Sequence, residues 1–223
     1  MNKLIIAVIA AALAIPATIS AKAYTRVLTV KGNFTALQAQ GNLEVEYTAS
    51  ATTSATIKAE YSEDLDKVKA SLRGGILTLT TIGNQRGDIK VKLSAPAIND
   101  FRASGNSEIE VESPVSGTSV TLKAEDNASI DIDRNINTST LTINTSGNSH
   151  IKVDGNITST QVKADTQLNS HIKLSSVNAD ALQLSTADNS NFRCSDITVS
   201  KIVAQSAGNS HMRLGGKAGN VEY

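Results

Sequence analysis

The chain has few residues that form disulfides or stack as aromatic rings, and it has no excess of charge of one sign. It has one cysteine, Cys194, and no tryptophan, and aromatic residues make up 3% of its 223 residues. A single cysteine excludes an internal disulfide, so packing and hydrogen bonds must stabilise the fold. Basic and acidic side chains number 21 each, which gives no general attraction to nucleic acid or to anionic membranes. Serine, threonine, asparagine, alanine, isoleucine and valine abound instead, which is typical of short strands and turns.

Residues 1–23 have the pattern of a secretory signal peptide. Lys3 precedes an apolar run over 4–15, and Ala21-Lys22-Ala23 is a small-x-small cleavage site. The apolar run is too short for a stable membrane span. We therefore predict cleavage after Ala23 and an exported chain that has no membrane span after cleavage.

A seven-residue motif recurs six times at a nearly constant interval. Its first copy is GNSEIEV (105–111) and its third is GNSHIKV (147–153). The asparagines of the six copies are 21, 21, 21, 20 and 20 residues apart: Asn106, Asn127, Asn148, Asn169, Asn189 and Asn209. Apolar residues follow each asparagine at a spacing of two, as Ile151 and Val153 do. This alternation predicts strands that have one buried face.

Three short strands in each period of 20–21 residues, joined by polar corners, are typical of a parallel β-helix. We predict an all-β fold, a right-handed single-stranded parallel β-helix (solenoid) of about 8–9 coils, stacked about 4.8 Å apart. One domain would cover 24–223, with less regular coils over 24–96 and regular coils over 97–218. A β-propeller would need a repeat of roughly 40 residues, and helical or leucine-rich repeats would need patterns that the sequence lacks.

The repeat is less clear in the N-terminal part. Gly41-Asn42 and Gly83-Asn84 lie between apolar pairs of the usual spacing, and Asp64 would fill a coil between them. This interpretation implies up to nine coils stacked in chain order. The segment 62–75 would alternatively leave the β-helix as a hairpin or a helix.

Asparagine suits the corner of a coil, because it tolerates a left-handed backbone and bonds its own main chain. Stacked identical amides also form a hydrogen-bonded ladder along the axis. We therefore assign the six repeated asparagines to a structural Asn ladder. The alternative is that this column lines a ligand groove.

Three segments resemble the putative auto-transporter adhesin, head GIN domain family: NFTALQAQGNLEVEY (33–47), SEDLDKVKASLRGGILTLT (62–80) and IKVKLSAPAINDFRASGNSEIEV (89–111). The resemblance covers nearly all of the chain after the signal peptide. It implies an exported β-helical protein of a Gram-negative bacterium, in the periplasm or at the cell surface. The family brings no catalytic residues to carry over.

The outward positions after each asparagine form charged columns. One column changes sign halfway along the axis: Glu110, Asp131, Lys152, Lys173, Arg193 and Arg213. All three histidines fall in the column beside it: His150, His171 and His211. We predict that the four cations and the three histidines bind an anionic surface glycan, a protein ligand or the acidic half of another copy. Two stacked histidines without a carboxylate or cysteine partner rarely hold a metal, so no metal and no cofactor are predicted.

The acidic end of the columns suggests a different class of function. Carboxylates one coil apart match the roughly 5 Å separation of a retaining glycosidase pair, and they also suit Ca²⁺. Against an enzyme, we expect an open face without apolar walls to shift the carboxyl pKa values. The three phenylalanines are also predicted to face inward, which leaves no aromatic sugar platform. We therefore predict an exported, non-enzymatic adhesin-like or structural module, with a carbohydrate-active lyase or glycosidase as the alternative.

Overall fold

The computed structural model describes residues 23–223, so the predicted signal peptide lies outside the described residues except for Ala23. The N-terminal part of the described chain contains the strands β1 (Tyr24–Leu28), β2 (Ala36–Gly41), β3 (Glu44–Ala49), β4 (Ser54–Ala59), β5 (Val68–Arg73), β6 (Ile76–Thr81), β7 (Ile89–Ala95), β8 (Asp100–Gly105) and β9 (Glu108–Val111). The C-terminal part contains β10 (Val115–Asp126), β11 (Ser129–Ile132), β12 (Ile136–Ser146), β13 (His150–Thr166), β14 (His171–Thr186), β15 (Asn191–Ser206) and β16 (His211–Glu222). A 3-10 helix spans Ser62–Lys67, and no helix in the described range is long and apolar enough to cross a membrane.

The strands form one sheet that is coiled into a β-solenoid of about six turns. From β8 onward, equivalent positions of successive coils pair in parallel register. Ile151 pairs with Ile172, for example, and Ile172 pairs with Phe192. Long strands turn a corner where the register shifts, as between Val153 and Asn156. The predicted all-β solenoid is confirmed.

The number of coils is smaller than the eight to nine predicted, because residues 24–96 do not stack in chain order. β2 and β3 pair directly with β8 and β9, while β6 and β7 lie on the other side of β2 and β3. β1, β4 and β5 pair with their neighbours in antiparallel orientation. The sequential stacking predicted for this part is therefore wrong.

Residues 62–75 adopt the alternative, with the 3-10 helix followed by a β5–β6 hairpin. Asp64 does not occupy a corner of the Asn column. Its carboxylate instead accepts hydrogen bonds from Lys67 Nζ (2.6 Å) and from the backbone N–H of Gly87 (3.1 Å). The bond from Lys67 holds the pKa of Asp64 below its usual value.

The inward side chains of all coils stack into one continuous apolar core. Ile151 and Val153 are fully buried, and Lys152 between them points outward, as the alternation predicts. The aromatic residues predicted to face inward are buried: Phe34, Phe101 and Phe192. A fully buried side chain of this size contributes about 1.5–3 kcal/mol. Repetition of such burial in every coil holds a fold that has no disulfide.

A column of buried serines secures the corners. Ser107, Ser149, Ser170 and Ser190 are at most 1% exposed and directly follow the repeated asparagines. Ser149 Oγ donates a hydrogen bond to the carbonyl oxygen of Ala124 at 2.8 Å, in the adjacent coil. The buried serine hydroxyl is therefore satisfied by a backbone acceptor of the neighbouring coil. Ala128 takes the same position in the second copy of the motif.

The left-handed backbone conformation belongs mainly to the residue before each asparagine. That residue has a positive φ in all six corners: Gly105, Asp126, Gly147, Leu168, Asp188 and Gly208. Of the asparagines themselves, Asn148, Asn169 and Asn189 share this conformation. Glycine adopts it without the steric cost that a side chain imposes, which explains its presence at three of the corners.

Candidate binding face

One side of the solenoid carries the predicted charged columns. We call it the charged face and define it by the outward residues of β7, β3, β9, β11 and the first segments of β13 to β16, in this spatial order. Strand register places one column along its centre: Glu46, Glu110, Asp131, Lys152, Lys173, Arg193 and Arg213. The face is therefore acidic over β3 to β11 and basic over β13 to β16.

An open groove of about 440 Å³ lies on the basic half, and we call it the basic groove. Its lining residues are His150, His171, Ile172, Lys173, Asn191, Phe192, Arg193, His211 and Arg213. Six of the seven residues predicted to bind a ligand are among them, and Lys152 is the exception. The buried Ile172 and Phe192 form the floor, so the groove lies directly over the core.

The cations of the groove are unpaired. Lys152 forms an ion pair with Asp154, which raises the pKa of Lys152. In contrast, Lys173, Arg193 and Arg213 are exposed and form no ion pair with any residue in 23–223. Neighbouring strands lie about 4.8 Å apart, so three positive charges line up without a counter-charge. Guanidinium groups bind oxyanions such as carboxylate or phosphate through two parallel hydrogen bonds.

The histidines extend the groove toward the acidic half. The ring centroids of His150 and His171 are 6.4 Å apart. Burial lowers the pKa of His150, although the nearby Asp131 opposes this effect. No cluster of three histidine, cysteine or acidic side chains suited to a metal ion occurs within residues 23–223. Neutral imidazoles can donate or accept one hydrogen bond each, which suits hydroxyl groups of a ligand.

The acidic half is crowded, and we call Glu44, Glu46, Glu108, Glu110 and Asp131 the acidic cluster. Lys90 on β7 pairs closely with Glu44 and also lies 3.7 Å from Glu46 and 3.8 Å from Glu110. Lys92 pairs with Glu46 at 2.6 Å, and this bond lowers the pKa of Glu46. The two lysines therefore form ion pairs with three of the five carboxyl groups.

The remaining carboxyl groups have raised pKa values. Burial and the hydrogen bond with Glu44 raise the pKa of Glu110 to about 7. Burial also raises the pKa values of Glu108 and Asp131. One oxygen of Asp131, Oδ1, is inaccessible to solvent and has no hydrogen-bond partner. The expectation that an open face would leave these pKa values unshifted is wrong, because side chains one strand apart desolvate each other.

Several members of the acidic cluster were missed by the sequence reasoning. Glu44 and Lys90 reach Glu110 because β3 and β7 stack on β9 out of chain order. A signal for this contact exists, since the Gly-Asn pair at 41–42 repeats the Gly-Asn pair at 105–106. Strand register indeed places Gly41 beside Gly105.

The Asn column lies at the edge of the charged face, and all six of its side chains are exposed. Amide hydrogen bonds join Asn106 to Asn127 (3.1 Å), Asn127 to Asn148 (3.5 Å) and Asn169 to Asn189 (3.3 Å). Exposed amides exchange partners with water, so these bonds contribute less than the buried serine bonds at the same corners.

Cys194 offers no chemistry on this face. Its thiol is buried in the core column, and burial raises its pKa to about 11. A thiol with such a pKa is protonated near neutral pH and is a poor nucleophile.

Comparison with known proteins identifies similar sequences and folds. Residues 33–169 match the family model described as putative auto-transporter adhesin, head GIN domain. A putative adhesin from Parabacteroides merdae is similar in structure at 16% identity and a TM-score of 0.69, over 92% of this chain and 97% of that one. A putative adhesin from Bacteroides fragilis gives 16% identity and a TM-score of 0.65, over 91% and 97%. A putative lipid binding protein from Parabacteroides distasonis gives 12% and 0.54, over 92% and 98%. No curated protein matches the sequence.

Proposed function

The chain belongs to the putative auto-transporter adhesin, head GIN domain family, and from this premise we propose that it is an exported, non-enzymatic adhesin-like module whose basic groove binds a linear anionic glycan. The signal-peptide pattern supports export to the periplasm or the cell surface. The observation that carries the ligand class is the row of unpaired cations Lys173, Arg193 and Arg213 in an open groove.

The groove favours an extended polymer over a small compact ligand. Its cations repeat along the solenoid axis at about 4.8 Å, so successive anionic groups of one chain can be bound in succession. Its aromatic residue, Phe192, is buried beneath the outward side chains, so recognition rests on charge and hydrogen bonds rather than on ring stacking. An exposed ion pair contributes only about 0.2–1 kcal/mol. Firm adhesion therefore depends on many copies acting together on one surface.

The test uses the purified chain from Tyr24 to Tyr223 on immobilised heparin, with neutral dextran as the uncharged probe. We expect binding to heparin alone, and a steep loss between 50 mM and 300 mM salt. The variant Lys173→Gln/Arg193→Gln/Arg213→Gln should lose at least tenfold in affinity. The matched control carries the same change in net charge on exposed lysines outside the charged face: Lys69→Gln, Lys163→Gln and Lys217→Gln. An equal loss of heparin affinity in both triple variants would refute specific binding in the basic groove.

One observation favours the enzymatic alternative. The pKa of Glu110, at about 7, lies in the range of a general acid, and Glu44 is hydrogen-bonded to it. A carbohydrate-active enzyme that uses this pair would release reducing ends or unsaturated products from an acidic polysaccharide. Turnover that is abolished by Glu110→Gln would establish this alternative, and its absence across a polysaccharide panel would support the adhesin.

A further inference from the structure

We propose that the charged face also docks a second copy of the chain, with the two solenoid axes antiparallel. This association goes beyond the glycan-binding function, although it uses part of the same surface. The proposal rests on the division of one face into an acidic half and a basic half, each of which is only partly neutralised within residues 23–223.

Each half has charges that the other half could neutralise. The basic half contributes Lys173, Arg193 and Arg213, which have no ion pair within the described chain. The acidic half contributes Glu110, whose nearest cation is 3.8 Å away and shared with two other glutamates, and Asp131, which forms no ion pair within residues 23–223. Glu110 and Arg193 are separated by four strand spacings, about 19 Å. Such a distance exceeds the screening length of about 8 Å at 0.15 M salt, so Glu110 and Arg193 cannot neutralise each other within one molecule.

A two-fold axis places the halves against each other. If the axis runs parallel to the strands and passes beside Lys152 on β13, strands equally far from β13 face each other. Glu110 then lies opposite Arg193 of the second copy, and Asp131 lies opposite Lys173 of the second copy. Both contacts occur twice by symmetry, and the assembly is closed. Lys152 at the axis lies opposite Lys152 of the second copy, but each of these lysines is already paired with Asp154 of its own chain.

Other arrangements of two copies satisfy fewer charges. With parallel solenoid axes and no offset, the acidic half would face the acidic half. A parallel arrangement with an offset would match one pair of halves and leave the other pair open, which leads to filaments. The antiparallel pair alone matches all four halves, so we expect dimers without larger species.

The contact is small. The column from Glu46 to Arg213 spans six strand spacings, about 29 Å, and the three outward columns span about 13 Å along the strands. This patch is smaller than the roughly 800 Å² per partner of a standard interface. We therefore expect a weak dimer whose formation is accelerated by charge and suppressed by salt.

Charge reversal provides the test, with sedimentation equilibrium of the chain from Tyr24 to Tyr223 at low and high salt. The wild type should form a dimer at low salt and a monomer at 0.5 M salt. The variants Glu110→Arg/Asp131→Lys and Lys173→Glu/Arg193→Glu should each be monomeric, because a homodimer of either variant would bring like charges together. An equimolar mixture should form a heterodimer, since the mixture restores all four contacts. A mixture that stays monomeric while both variants keep the wild-type circular dichroism spectrum would overturn the proposal.

A conservative variant keeps the test independent of folding and of the glycan proposal. At pH 8, where Glu110 is ionised, Glu110→Gln/Asp131→Asn removes two acidic charges without adding bulk and leaves the basic groove intact. We expect it to weaken dimerisation at least tenfold and to bind heparin at least as well as the wild type, because the dimer covers the basic groove. Unchanged dimerisation in this variant would overturn the self-association even if the glycan proposal holds. Failure of the wild type to bind heparin would instead refute the glycan proposal and leave the dimer test unaffected.

Discussion

Replacing Glu110 by glutamine should stabilise the protein at pH 8 and leave its stability unchanged at pH 5. Burial and the hydrogen bond with Glu44 raise the pKa of Glu110 from its usual 4.5 to about 7 in the folded chain. As the pH rises through this interval, the unfolded chain loses the proton before the folded chain does. The free energy of unfolding therefore falls between about pH 4.5 and pH 7 and is constant above it. The glutamine variant should lack this fall.

The size of the effect follows from the exposure of the side chain. Without solvent screening, a shift of this size would correspond to roughly 3 kcal/mol. However, 40% of the Glu110 side chain is exposed. Solvent screening reduces the effect, so we expect Glu110→Gln to gain about 1 kcal/mol at pH 8.

Urea unfolding at pH 5, 6, 7 and 8 measures this difference, at a protein concentration low enough to keep the chain monomeric. Glu112→Gln is the matched control, because Glu112 follows β9 directly and is exposed. The lowered pKa of His150 changes stability in the opposite direction, but it does so in the wild type and in both variants and cancels in the difference. A gain for Glu110→Gln that is the same at pH 5 and pH 8 would contradict a raised pKa of Glu110 in the folded chain.

Three further predictions concern the corners and the strand register. Ser149→Ala should lower the free energy of unfolding by about 1–2 kcal/mol, because a buried hydrogen bond is lost. Ala128→Ser at the equivalent corner should raise it by up to about 1 kcal/mol. The denaturant midpoints of the two variants should therefore move in opposite directions. Leu168 has a φ of 55° and is 51% exposed. Leu168→Gly should therefore relieve about 0.5–1 kcal/mol of backbone strain and raise the melting temperature. An unchanged melting temperature would contradict a strained corner. Ile151→Asp should abolish soluble expression, since it buries a charge, while Lys152→Asp should keep the circular dichroism spectrum. The reverse result would indicate a strand register that differs by one residue.

The columns of the charged face could be predicted from the repeat in the amino-acid sequence. A period of 20–21 residues, combined with alternation of two, predicts that Lys173, Arg193 and Arg213 lie side by side on the outside. In-register parallel pairing turns equal spacing along the chain into adjacency in space, and the structure has this register. The same alternation contained a signal that was overlooked. Ser149 lies two residues before the buried Ile151 in the alternating pattern, which indicates that the serine faces the core and the preceding asparagine faces solvent.

The order of the layers in the N-terminal part could not be predicted from local pattern, and the composition of the acidic cluster depends on that order. Glu44 and Glu110 are 66 positions apart, and Lys90 reaches both because β3 lies between β7 and β9. Several layers share nearly the same motif and the same alternation, so local pattern does not specify which layer stacks on which. That choice depends on the packing of whole layers and on the hairpin over 62–75, which takes β5 out of the coil path. The raised pKa of Glu110 follows from the same choice, since burial and the hydrogen bond with Glu44 arise only when these strands meet.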